Sequence, residues 1–346
     1  MKLRNRQAGL SLIELMVSIT LGLMILSGVL VVFANSSAAR NEVERTSRQI
    51  ENGRFASDLL SEDIRLAGFY GELNAGSVGA PGGAWPNDPC SLAKADWTAW
   101  VPLHIQGFYQ DQFPAPSTCA FANRKAGSDV LLIRRARACV AGVGSCEATA
   151  NGKAYVTVSL CATETATTYQ MGIWGTDTFD RHKKNCVTAP PGTLADKREY
   201  YVHIYYLSTT NGAGDNIPTL MRLELTGAGW NAVPLVEGIE EFHLQYGIDN
   251  NSDGNPDVYV ADPNTAAVPG LGSALANWMN VVTVQFNLLA RNLEPSLNYS
   301  DVGKTYSLGN DAAGNPITVA GTGSYRRHVY QGLVRVANVS GRRDAP

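Results

Sequence analysis

Nine consecutive residues carry the sharpest chemical pattern in the chain: Asp249-Asn250-Asn251-Ser252-Asp253-Gly254-Asn255-Pro256-Asp257. Side-chain oxygens at alternate positions, from Asp249, Asn251 and Asp253, converge on one hard cation when the following glycine permits a sharp turn. The carbonyl of Asn255 and the carboxylate of Asp257 extend that ligand set, so the ion the spacing points to is Ca2+. Where an EF-hand loop closes with a bidentate glutamate this chain has Val260. The flanking residues also read as strands, so no EF-hand is expected. The same composition suits an Asx- and glycine-rich hairpin turn with no ion at all.

The cysteines are the second chemical set. Cys90, Cys119, Cys139, Cys146, Cys161 and Cys186 are six in all, and no cysteine lies outside that stretch. An even number so clustered points to disulfides made in an oxidising compartment, with the pairing left open by sequence. Zinc is the rival, but there is no C-x-x-C pair, and His182 with Cys186 is the single close His–Cys pair. Catalytic patterns are missing: no G-x-S-x-G, no P-loop, no H-E-x-x-H and no glycine fingerprint. His104, His182, His203, His243 and His328 are scattered. The expectation is a chain that is not an enzyme and takes no small-molecule substrate. With 28 basic against 31 acidic residues and a net charge of −3, nothing neutralises a phosphate backbone, so nucleic acid is not an expected partner.

Glu14 is the third. It is the one charge in the 25 residues from Leu10 to Ala34. As a helix that run is roughly 37 Å long, enough to cross a bilayer. Lys2, Arg4 and Arg6 precede it without an acid. Such a flank keeps the N-terminus cytoplasmic and sends everything after Ala34 across the membrane, as a single-pass protein. An ordinary secretory signal, cut near Ser36-Ser37-Ala38, is the alternative. Its apolar core is usually about 7–15 residues; here the run is longer and holds a carboxylate. An acid in that setting is costly and calls for a partner.

A short basic leader ending in Gly9, then an apolar helix with Glu14 in its first turns, resembles the N-terminus of type IV pilins and pseudopilins. The resemblance implies that a prepilin peptidase cuts between Gly9 and Leu10 and methylates the new amine of Leu10. Leu10 stands where the family usually has phenylalanine, a conservative departure. Removal of residues 1–9 takes three cations and moves the net charge from −3 to −6. In the family the freed amine pairs with the glutamate of a neighbouring subunit, which at low dielectric sets the axial register.

These groups need elements to position them. Residues 10–34 read as the membrane half of a spine helix and 35–68 as its amphipathic half. Ala39, Val43, Ala56, Leu60, Ile64 and Ala67 recur at helical spacing, opposite Arg40, Glu44, Arg45, Arg48, Glu51 and Glu62. Gly68 supplies the stop, and Gly53 in mid-helix marks close packing or a bend. Glu51-Asn52-Gly53-Arg54-Phe55-Ala56 and Asp63-Ile64-Arg65-Leu66-Ala67-Gly68-Phe69 resemble the spine of PilW minor pilins. The head is 69–346, with a cysteine-bearing insertion over about 71–190. Its first part, Gly71 to Lys125, reads as an irregular excursion carrying Trp85, Trp97 and Trp100. Strand-like runs follow at 130–133, 200–207, 221–225, 242–246, 281–288 and 328–336. Leu235 to Glu240 leading into Gln245-Tyr246-Gly247 is similar to a block of PilW proteins and GspJ-like pseudopilins. The expected fold is α+β and type IV pilin-like, a long N-terminal helix packed on an antiparallel sheet. The resemblance implies a minor pilin that primes pilus assembly or sits near the tip, with other minor and major pilins as partners. A GspJ-like pseudopilin of type II secretion and a surface adhesin with an exposed aromatic groove are the alternatives.

Overall fold

The structure, a computed structural model, describes residues 11–75, 78–79, 88–114, 117–165, 168–188, 193–212, 215–227, 229–341 and 343. It divides into two compact units, one ending at Arg48 and one beginning at Gln49. Helix α1 runs Leu12–Leu66, 55 residues. Ser11 starts it, its Oγ accepting from the Glu14 N–H at 3.3 Å and its carbonyl from the N–H of Glu14 and Leu15. Gly68, in the left-handed region at φ +72°, follows its end, as the sequence predicts.

In the first unit the apolar side chains from Leu12 to Phe33 are exposed, and the helix is long and apolar enough to cross a membrane. Three hydroxyls in this run are satisfied within the helix: Ser18 donates to the Glu14 carbonyl, Thr20 to that of Met16 and Ser27 to that of Met24. A segment in hydrocarbon has no water to serve those groups, so internal pairing is what it requires.

In the second unit α1 buries Gln49, Gly53, Ala56, Leu60, Asp63 and Ile64. Two antiparallel sheets receive that face. The larger has seven strands. Its backbone path is β1 (Ile105–Phe108), β2 (Val130–Ala136), β5 (Lys197–Ser208), β3 (Ala154–Val158) and β4 (Tyr169–Ile173). Strands β6 (Thr219–Leu225) and β7 (Trp230–Glu237) attach through β5. The smaller sheet runs β13 (Arg327–Arg335), β10 (Val281–Arg291), β8 (Ile239–Ile248), β9 (Val258–Val260). A separate hairpin pairs β11 (Thr305–Asn310) with β12 (Pro316–Ala320). Short helices α2 (Lys94–Ala99), α3 (Ala274–Met279) and α4 (Ala337–Ser340) complete the element order.

Two glycines mark where the helix and sheets meet. A Cβ on Gly53 would lie 2.1 Å from the Tyr330 ring of β13, so close packing accounts for the mid-helix glycine. Gly238 sits between β7 of one sheet and β8 of the other at φ +82°, and a Cβ there would meet the Arg291 carbonyl at 2.6 Å. That explains the glycine in the Leu235–Glu240 block: it is the point where the chain changes sheets.

All six expected strand runs are present. The stretch expected to be irregular is different: it holds α2 and β1, and Trp97 and Trp100 are wholly buried. A four-residue strand buried at every position shows no alternation, and a six-residue helix shows no period, so neither leaves a pattern to read. The cysteines pair in sequential order, Cys90–Cys119, Cys139–Cys146 and Cys161–Cys186, with Cα–Cα distances of 5.1, 6.0 and 5.1 Å. Each closes a loop-rich stretch, a type of cross-link that contributes on the order of 2–4 kcal/mol.

Candidate functional site

Gly9, Leu10 and Trp85 lie outside the described residues. Glu14 lies in the first turn of α1 and is exposed. A helix N-terminus favours a negative charge there. Its carboxylate meets no cation among the described residues of its own chain.

Where α1 packs on the large sheet the structure places a buried ionic cluster. Asp63 lies in the same stripe as Ala56, Leu60 and Ala67 and is only 4% exposed. One carboxylate oxygen accepts from Arg135 Nε on β2 at 2.6 Å. The other accepts from His203 Nδ1 at 2.6 Å and from the Tyr205 hydroxyl at 2.7 Å, both on β5. Arg135 stacks over Tyr201, and Tyr201 on His203. Burial pushes the Asp63 carboxyl up, but the His203 charge and hydrogen bond, then Arg135 and Tyr205, outweigh it and hold it well below the ordinary aspartate value. Sequence reading missed this cluster. The available signal was an acid at the helical spacing of core residues.

The Asp249 loop is brought together as a hairpin connection between β8 and β9, with Ile248 opposite Val258. Asp249 is wholly buried. Its Oδ1 accepts from the N–H groups of Asn251 and Ser252 at 3.2 and 2.6 Å. Its Oδ2 accepts from the Gly254 N–H and from Arg343 Nη1, each at 2.9 Å. Asn251 Oδ1 accepts from the Asp253 N–H and Asp253 Oδ1 from the Asn255 N–H. Asp257 takes the N–H of Asn250 and the amide of Asn251. Burial raises the Asp249 carboxyl, but Arg343 and the loop N–H groups bring it below its ordinary value. These oxygens face donors, and a guanidinium already supplies the positive charge. In this arrangement the residues fit a turn and not an ion; Ca2+ requires Arg343 to leave. Asp253→Ala is therefore expected to lower the thermal midpoint equally in calcium and in chelator. A loss confined to calcium would establish an ion in the loop.

Of the other candidate ligands, Asp88 approaches Cys90 and Cys119, but both sulfurs are spent in their bridge and offer no thiolate. His104 is buried with both ring nitrogens facing backbone carbonyls, of Val281 and Pro102, and burial drives it down to about 4. Ser159, Glu164 and His182 meet, with the Ser159 hydroxyl and His182 Nδ1 both directed at Glu164. Activation of a serine needs the histidine against the hydroxyl, and here the acid stands between them.

The apolar helix with its acidic first turn, continuing into a packed α+β head, defines a membrane-anchored pilin-like architecture. Residues 4–30 match the prokaryotic N-terminal methylation motif. Residues 204–338, which include β8, β10 and β13, match the family described as Type IV Pilus-assembly protein W. Together the two matches make the chain similar to a PilW-family type IV pilin over its membrane helix and the C-terminal part of its head. No curated protein and no solved structure matches the chain.

Proposed function

We propose that this chain is a minor pilin that helps to initiate type IV pilus assembly or sits near the filament tip with other minor pilins. The observation that carries the reading is that one chain joins the methylation motif on its membrane helix to a PilW-matching head. In this reading a prepilin peptidase removes residues 1–9, Leu10 becomes the methylated N-terminus, and the helix holds the protein in the inner membrane with its head outside the cytoplasm. The head serves as a structural unit in contact with neighbouring pilins. Burial of Trp97 and Trp100 within the core speaks against an aromatic adhesive groove at those rings.

The test is quantitative mass spectrometry of sheared, purified filaments beside the membrane fraction. The expected result is a chain beginning at methylated Leu10, present in filaments far below the major subunit. A mature chain beginning near Ala39 means a secreted soluble protein and overturns the reading. Stoichiometric amounts would make it a major subunit.

A further inference from the structure

Arg134, on β2, is a wholly buried cation. Its Nη1 donates to the Leu103 carbonyl at 2.8 Å and its Nη2 to Gln106 Oε1 at 3.1 Å, both neutral acceptors. The guanidinium lies over Trp100, 4.5 Å from the ring centroid. Its Nε–H meets no acceptor, and neither do Trp100 Nε1–H, the Tyr70 hydroxyl or the Tyr200 hydroxyl, all of them buried. The neighbouring indole is a contrast: Trp97 Nε1–H donates to the Ser91 carbonyl at 3.0 Å.

Sheet register explains why these groups share one space. Arg134 stands opposite Val202 and Ala136 opposite Tyr200, so Tyr200 is the diagonal neighbour of Arg134 on the same sheet face. Tyr70 stacks on Tyr200 at 6.3 Å between centroids, and Trp97 closes over Tyr200 at 6.1 Å. The chain leaving α1 is held beside β2, with the Gly68 N–H donating to the Arg134 carbonyl and the Ala136 N–H to that of Phe69. Arg135, one residue on, points to the other face and meets Asp63 there.

Burial pulls the Arg134 guanidinium down to about 10, against the opposing influence of the Tyr200 and Tyr70 phenols, so it remains charged at neutral pH. Those phenols are themselves pushed up, first by burial, and stay neutral. No carboxylate among the described residues pairs with Arg134. A charge held in a protein interior is costly until an opposite charge meets it.

We infer that Arg134, Trp100, Tyr70 and Tyr200 form a buried site for a small monovalent anion of the halide class. Every unpartnered atom in the cluster carries a hydrogen to donate, and the cluster as a whole is one positive charge. A water molecule brings no charge to set against the guanidinium; a halide held among these donors brings one and can only accept. Such an ion joins the segment after α1 and the tryptophan after α2 to the β2–β5 pair, fixing the end of the long helix to the sheet. This site does not depend on the pilin reading.

The test uses the full chain in detergent. Its thermal midpoint is followed as sodium bromide or chloride replaces sodium gluconate at constant ionic strength. A ligand bound to the folded state alone raises the midpoint by about 2 °C for each tenfold increase above its dissociation constant. Arg134→Met is expected to show no halide dependence, and Tyr200→Phe, which keeps the ring and loses one donor, a reduced one. Protein unfolded in urea and refolded in bromide should retain stoichiometric bromide by X-ray emission after desalting. Equal midpoints in halide and gluconate, with no retained bromide, overturn the site and leave the cluster to water. Should Arg134→Met fail to fold, the wild type and Tyr200→Phe still decide.

Discussion

Asp63→Ala is expected to destabilise the folded protein by about 3–5 kcal/mol, the usual consequence of removing one member of a buried ion pair. The loss is not that of three hydrogen bonds alone. Arg135 is left in the helix–sheet interface with its guanidinium uncompensated, and His203 and Tyr205 lose the acceptor that fixes them. If that is the cause, then Asp63→Ala/Arg135→Met should recover part of the loss, because the stranded charge is gone and a side chain of similar length fills the space. The pH dependence has a definite sign. The folded state holds the Asp63 carboxyl well below its ordinary value of 3.8. A depressed acid contributes its full stability above the unfolded value and loses it as pH falls through the folded one. The penalty of Asp63→Ala should therefore be complete at neutral pH and shrink below about pH 4 as the wild type itself loses the carboxylate. Urea unfolding at neutral and acidic pH measures both. A penalty under about 1 kcal/mol, or one independent of pH, would reduce the cluster to an ordinary surface-type pair.

Asp63 also shows what the sequence could and could not convey. Its position in the Ala56–Leu60–Ala67 stripe was readable, yet a single acid in such a stripe identifies no partner. The partners come from β2 and β5, 72 and 140 residues away. Segments with strong local character were legible: the apolar helix from its uninterrupted run, and β2, β5, β6, β8, β10 and β13 from their β-branched and aromatic content. Short or polar strands such as β1, β9, β11 and β12 were not, because their pairing is decided by neighbours distant in sequence. A glycine in mid-helix marks close packing or a bend, and the close approach of Tyr330 on β13 supports the first. The Cys90–Cys119 bridge closes over α2 and β1, which carry no local pattern. The Asp249 loop is the instructive case. Its oxygens are spaced for a cation, and the structure meets them with backbone N–H groups and an arginine from near the far end of the chain. Nothing near the loop announces that arginine.

Glu14→Ala is expected to leave processing at Gly9/Leu10 intact while reducing the fraction of this protein found in sheared filaments about 100-fold or more. The argument rests on where the carboxylate is. It stands in the first turn of a helix whose neighbouring side chains are apolar and exposed, so in a membrane it is surrounded by hydrocarbon. Within its own chain no described cation reaches it, and an ionised acid at low dielectric is costly until one does. In the proposed reading leader removal creates an amine at Leu10, a cation in the same region that a neighbour displaced by an axial step can present to Glu14. An ion pair of that kind, broken on one side, costs about 3–5 kcal/mol, which is roughly two to three and a half decades in a docking equilibrium. Glu14→Gln separates charge from size, since it keeps the side chain and its hydrogen-bonding capacity and removes the attraction. Both variants should remain in the membrane fraction with the leader gone, as judged by mass. Incorporation at the wild-type level by either one would mean that helix packing alone sets the register, and the role assigned to Glu14 would be lost.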